Sequence, residues 1–183
     1  MNLPAPLPQS GRTAMMLVVG CVACMASAAW AQEKFKVIYD SPAAITKYTQ
    51  QHAIDLGDAP GHQMRLFEIQ RTYADGPVIN GVRLKEAWTR GLSDYQDLNG
   101  SAQIHTTYVM ENGDRMYLKG SLTNQSSASN DGKTTSRNLV SLNIVGGTGK
   151  FANVRGISRS EGVSNQVTGY NINKTELEYW VVK

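Results

Sequence analysis

The chain reads as an all-β protein folded as an antiparallel barrel, and three features of its sequence point that way. Short alternating or β-branched runs recur nine times between Phe35 and Val182, at the spacing of consecutive strands. No convincing apolar stripe at helical spacing competes with them. Turn-forming combinations of glycine, asparagine, aspartate and proline stand between the runs.

Taken in order, the strand signals are Phe35–Tyr39, Gln51–Leu56, Gln63–Tyr73, Val82–Thr89, Ala102–Met110, Arg115–Leu122, Arg137–Val145, Ile157–Val163 and Tyr170–Val182. Pro42 to Tyr48 is the one stretch suited to a short helix. The connections use Asp58-Ala59-Pro60-Gly61, Asp75-Gly76-Pro77, Asn80-Gly81, Asn112-Gly113 and Gly146-Gly147. Asn112-Gly113 predicts a two-residue type I′ hairpin, a turn that needs φ > 0 at both central residues. It pairs Glu111 with Asp114, Met110 with Arg115, Tyr108 with Tyr117 and Thr107 with Leu118. Tyr108, Met110, Arg115 and Tyr117 then share one face.

Thr123 to Thr135 contains one alanine among polar and glycine residues. With nothing to bury, it is expected to be a long mobile loop at one mouth of the barrel. Gly146 to Gly156 places four glycines in eleven residues between two strand signals, which describes strand, tight connection with φ > 0, and strand. A phosphate loop is excluded. It needs a glycine five residues before Gly149 and a hydroxyl residue after Lys150, where Ile144 and Phe151 stand.

Arg12 is the only charged residue among the first 31, and an apolar core from Ala14 to Ala28 leads to Ala29-Trp30-Ala31. This is the pattern of a secretory signal peptide, 1–31, cleaved before Gln32, with export to the periplasm or beyond the cell. The apolar core is too short for a membrane span. Cys21 offers a lipoprotein start as the alternative. Residues 32–183 are expected to form one barrel domain. Both cysteines, Cys21 and Cys24, fall in the signal, so the mature chain excludes a disulfide scaffold, a thiolate nucleophile and a cysteine metal site. Without Arg12, 17 basic residues face 15 acidic ones, a balance with no electrostatic case for nucleic acid.

Polar residues inside apolar strands are the candidates for an interior site. In Leu84 to Arg90, period 2 puts Glu86, Trp88 and Arg90 on one face, where a carboxylate, an indole and a guanidinium would line a ligand pocket. The bland alternative is an outward Glu86–Arg90 ion pair flanking the tryptophan. Tyr108 and Tyr117, opposite each other across the expected hairpin, join them as ligand-binding candidates. Arg65 and Glu68 punctuate Met64 to Ile69; Glu68 in apolar surroundings would have a raised pKa and serve as general acid or base, unless it pairs with Arg83 or Arg65 on a solvated side. Asp94 and Tyr95 would supply an acid and a phenol at the barrel mouth, unless Asp94 caps its own turn. His52, His62 and His105 form no short ligand pair, so no metal site is signalled, and there is no nucleophile elbow.

The run Gly146-Gly147-Thr148-Gly149-Lys150-Phe151 with Arg155-Gly156 resembles the glycine-rich turn of the allene oxide cyclase and dirigent barrels. Ser93-Asp94-Tyr95-Gln96-Asp97-Leu98-Asn99-Gly100, followed by Glu111-Asn112-Gly113-Asp114, resembles the bacterial allene-oxide-cyclase-like barrel proteins. The resemblance implies an eight-stranded, calycin-like antiparallel barrel with a lipocalin-like cavity. It carries over no catalytic residue. The implied function is binding of a small hydrophobic or amphipathic molecule without a cofactor; its rivals are a cofactor-free cyclase or isomerase and a structural envelope protein. By analogy with the plant barrels, a homotrimer is expected.

Overall fold

The computed structural model describes residues 32–128, 134–165, 168 and 170–183. The expected signal segment, 1–31, lies outside them. Ten strands follow in order: β1 (Phe35–Ser41), β2 (Thr46–Asp55), β3 (His62–Thr72), β4 (Val78–Ile79), β5 (Val82–Gln96), β6 (Asn99–Met110), β7 (Arg115–Ala128), β8 (Thr134–Gly147), β9 (Val154–Asn165) and β10 (Tyr170–Val181). Each of the nine strand signals is a strand, and β4 is an addition too short to show alternation. The fold is the expected all-β antiparallel one.

Nine strands hydrogen-bond in the order β1-β10-β9-β8-β7-β6-β5-β3-β2, with β4 attached to β5. The count differs from the eight expected, and the sheet is not closed: β1 and β2 form its two edges. Pro42 to Ile45 joins those edges, and the helix expected over Pro42 to Tyr48 shrinks to a single 3₁₀ turn, Ala43–Ile45, because Thr46 to Tyr48 pair with β3. Strong curling brings distant strands together. The hydroxyl of Tyr39 on β1 lies 2.6 Å from that of Tyr108 on β6, and the Tyr73 hydroxyl lies 2.8 Å from Ser41 Oγ.

The turns at one end pack against one another and close it. Phe151, Leu84, Ile79, Met110, Met116 and Val154 are all buried there. The glycine-rich turn seals this end through contacts that admit no side chain: a Cβ on Gly149, at φ +51°, would sit 2.0 Å from the Asp114 carboxylate, and one on Gly147 would sit 2.1 Å from the Arg115 carbonyl. In turn Asp114 accepts a hydrogen bond from the Lys150 N–H at 3.0 Å, and Thr148 Oγ1 accepts one from the Arg115 N–H at 2.9 Å.

Three expectations are corrected. The Asn112-Gly113 hairpin is not type I′: only Gly113 takes a positive φ, the Met110 carbonyl accepts from the Gly113 N–H at 3.0 Å, and Met110 N–H donates to the Asp114 carbonyl. This is a three-residue loop ending in a glycine bulge. The Asn112 side chain favours it by accepting the Asp114 N–H at 3.1 Å. Tyr108 therefore pairs with Met116 and Thr107 with Tyr117, one residue out of the expected register. A slip of one reverses faces, so Tyr108 points inward and Tyr117 outward. The true type I′ geometry lies at Asn80-Gly81, with φ of 48° and 74° between the paired Ile79 and Val82.

The second correction is on β5. Counting by two from buried Leu84 would put Glu86, Trp88 and Arg90 inside. A bulge intervenes, since Leu84 pairs with Met110 and Glu86 with the next residue, Val109, leaving Lys85 unmatched. Past it the buried positions are Ala87, Thr89, Gly91, Ser93 and Tyr95, and the three candidates face out. Third, Thr123 to Ala128 and Thr134 to Thr135 are strand rather than loop, paired from Thr123–Leu139 to Ala128–Thr134. The centre of that expected loop, 129–133, lies outside the described residues. Polar residues can occupy these strand ends because the interior is itself polar there: Asn124, Ser136 and Asn138 are buried and point inward.

Candidate functional site

The curled sheet encloses a cavity lined by inward positions of all nine strands of the sheet, β1 to β3 and β5 to β10. The space open to the centre of a water-sized sphere is about 100 Å³, several times the roughly 10–15 Å³ one water needs by that measure. An apolar waist of Phe67, Ile69, Ile104 and Leu142 runs through its middle. Tyr39, Tyr73 and Tyr108 stand on the side of the closed end, and Tyr48, Tyr95, Ser93, Asn138, Ser164 and Asn171 on the other.

The phenol cluster is the chemically distinctive part. Tyr39, Tyr73 and Tyr108 converge from β1, the end of β3 and β6, with Tyr39 and Tyr73 rings edge-on at 6.2 Å. Burial pushes the Tyr108 hydroxyl up to about 12 and holds that of Tyr39 well above its ordinary value. The Tyr73 and Tyr95 hydroxyls are raised for the same first cause. All four are neutral donors at physiological pH. In the Tyr39–Tyr108 pair one O–H donates to the other, which leaves the acceptor's own proton free to donate onward.

Arg71, one strand position before Thr72, shares this inner row because β3 has no bulge between Phe67 and Thr72 in its pairing with β5. One guanidinium nitrogen donates to Asn171 Oδ1 at 3.3 Å, while its Nε is buried without a hydrogen-bond partner. Its charge lowers the pKa of Tyr73 and Tyr108, opposing part of the rise from burial. Arg65 lines the cavity further along the same strand and donates to Gln51 and Gln63 at 3.5 and 3.4 Å.

Of the residues singled out in the sequence, Tyr108, Tyr95 and Arg65 line the cavity. Glu86, Trp88 and Arg90 do share a face, as period 2 requires, but it is the outer one. There the Trp88 indole donates to Glu86 Oε2 at 2.9 Å and the Arg90 guanidinium lies 5.6 Å from the indole centroid. Tyr117 is also outside and exposed. Glu68 faces out as well; it accepts from Thr49 Oγ1 at 2.6 Å and pairs with Arg90 at 2.7 Å, so its pKa is lowered rather than raised. Asp94 reaches His62 Nε2 at 2.7 Å, and Asp58 holds the other ring nitrogen at 2.7 Å. Among the described residues no group of three or more His, Cys, Asp or Glu side chains is arranged to hold a metal ion. The sequence reading missed Tyr39, Tyr73 and Arg71. Alternation carried forward from Phe67 and Ile69 would have found the last two.

No family model matches the chain, and no curated protein matches it in sequence. Solved structures do match in shape. The pterocarpan synthase dirigent protein GePTS1 is 14% identical, with 94% of this chain and 98% of that one covered and a TM-score of 0.52. A second pterocarpan synthase dirigent protein, PsPTS1, is 15% identical, with 84% and 99% covered and a TM-score of 0.51. A pyocyanin demethylase aligns more loosely, at 16% identity and a TM-score of 0.44. Through the curled antiparallel sheet, the glycine-sealed end and this likeness, the chain has the fold of the dirigent-type barrels.

Proposed function

We propose that the barrel interior is the binding site of a small amphipathic molecule, apolar along the Phe67–Ile69–Ile104–Leu142 waist and carrying oxygen at the phenol cluster. The observation that carries this reading is the cavity itself, with protonated phenols and an incompletely bonded arginine turned into it. Ligand sites are typically concave and largely apolar, with a few convergent polar groups. Of the hydrophobic or amphipathic ligands expected from sequence, the amphipathic kind fits better, because hydroxyl and amide groups line much of the wall.

A second reading, a cofactor-free cyclase or isomerase, draws support from the same phenols. Neutral O–H donors fixed before a substrate binds can stabilise developing oxyanion charge, and a confining cavity controls substrate conformation. Two of the similar structures are described as pterocarpan synthase dirigent proteins. Export, with a mature start at Gln32, and a homo-oligomeric state belong to this proposal on the sequence grounds given above.

Native mass spectrometry of the protein purified from its own host tests all three. The expected result is a retained small molecule on the folded chain, absent from an Ala87→Leu variant whose added side chain enters the cavity. An empty wild-type protein with no affinity for any amphipathic probe would refute the binding reading. The same spectra count subunits and give the mature mass, and a lipid-modified start at Cys21 would refute cleavage before Gln32.

A further inference from the structure

We infer that the interior site selects an organic anion, a carboxylate on a compact apolar body, with Arg71 as its counter-charge. This rests on the proposed binding function of the cavity and narrows its ligand class.

Among the described residues, those that line the cavity include two arginines and no aspartate or glutamate. Several cations on the outer surface have carboxylate partners: Arg90 has Glu68, Arg83 has Asp75, Lys34 has Glu178 and Lys36 has Glu176. Arg71, which lines the cavity, has no carboxylate partner among the described residues. It donates to a neutral amide, Asn171, and its Nε is a buried donor with nothing to donate to. Arginine stays charged under all physiological conditions. A buried donor left without an acceptor costs the empty fold stability, and an incoming anion supplies that acceptor. A guanidinium offers Nε–H and Nη–H as a planar fork that matches the two oxygens of a carboxylate.

The surroundings sharpen the choice. Tyr73 and Tyr108 lie close enough to Arg71 for its charge to act on them, and both are neutral O–H donors. Both already hydrogen-bond to neighbouring hydroxyls, Tyr73 to Ser41 and Tyr108 to Tyr39, and a neutral phenol can turn its O–H toward an oxyanion. Arg65 adds positive charge farther along the inner row of β3, six residues away, which is roughly 20 Å of strand. Between the two arginines the inward positions are Phe67 and Ile69, so the apolar body follows the charged group along the strand.

The test compares 2-naphthoate with 2-naphthalenemethanol, a matched anion and neutral alcohol, by calorimetry at pH 7 and moderate salt on the mature chain. Wild type should bind the naphthoate at least about tenfold more tightly, equivalent to ~1.4 kcal/mol. The preference should collapse in Arg71→Met and Arg71→Gln, persist in weakened form in Arg71→Lys, and survive in Arg65→Met. A readout on empty protein accompanies it: Arg71→Met, which removes an unpaired charge, should unfold at the same temperature as wild type or higher. Equal or better binding of the alcohol by wild type would overturn the inference and leave the binding reading standing. So would an anion preference undiminished in the folded Arg71 variants. If those variants fail to fold, the inference is refuted, because the empty fold would then depend on Arg71. If neither probe binds wild type, the binding reading and this inference fall together.

Discussion

At the closed end of the barrel the fully buried side chains are Phe151, Leu84, Met110 and Met116, each at 0–1% exposure; at the far end they are Asn124, Ser136 and Ser164, at 1–3%. Burial is equal and its consequences are not. Each apolar group removed from water stabilises the fold by about 25 cal/mol per Å², whereas a buried polar group roughly breaks even once hydrogen-bonded and costs about 1–3 kcal/mol where it is not. Among the described residues, the buried side-chain atoms without a hydrogen-bond partner are Arg71 Nε and Asn124 Oδ1, both in the polar part of the interior. The closed end thus anchors the fold, and the polar interior holds groups that a ligand can complete.

The contrast is open to direct attack. Phe151→Ala should have the largest effect, a loss of about 3–5 kcal/mol in urea unfolding, because it hollows out the plug under the glycine turn. A loss nearer 1 kcal/mol would mean that the anchor lies elsewhere. Gly149→Val should cost roughly 1–3 kcal/mol through its left-handed φ and the overlap with Asp114. At the other end, Asn138→Ala removes a buried hydrogen bond to Ser164 Oγ, 3.0 Å long, and should cost only about 1 kcal/mol. If it matched Phe151→Ala, the two ends would not differ as described.

Leu98 sits in the β5–β6 turn at φ 65°, with Asp97 before it at 49°, and its carbonyl accepts from Ser126 Oγ at 3.1 Å and from Asn124. Leu98→Gly should stabilise the protein by about half to 1 kcal/mol, since relief of the left-handed strain exceeds the added unfolded-state entropy. The smallest effect concerns pH. His62, between Asp94 and Asp58, has its pKa raised from 6.5, first by the hydrogen bond to Asp94 and then by that to Asp58. Its contribution to stability is therefore complete below the ordinary histidine value and is lost as pH rises through the folded one. Thermal unfolding temperature should decline across that window in wild type and stay flatter in His62→Gln; parallel profiles would show that the His62 pairs do not contribute.

Strand positions were legible from the chain alone because alternation and turn residues are local properties. The glycine-rich turn was legible for the same reason, although what its glycines touch, the Asp114 carboxylate and the Arg115 carbonyl, lies more than thirty residues away in sequence. The polar segment after Leu122 was misread as loop because no apolar face marked it. Only the folded interior shows that Asn124 and Asn138 are the inward positions there.

What the residues by themselves determined is the all-β class, the positions of nine strands along the chain and the absence of cysteine from residues 32–183. Which face each strand turns inward was decided by tertiary structure. A two-residue period has no fixed origin: one unmatched residue at Lys85 sends Glu86, Trp88 and Arg90 outside, and one extra loop residue at Gly113 does the same to Tyr117. Those offsets depend on contacts made after folding, such as the Asp114 carboxylate on the Lys150 N–H. Where no bulge intervenes, as along β3 from Phe67 to Arg71, parity follows from sequence, and it leads to the arginine that the cavity leaves without a counter-charge.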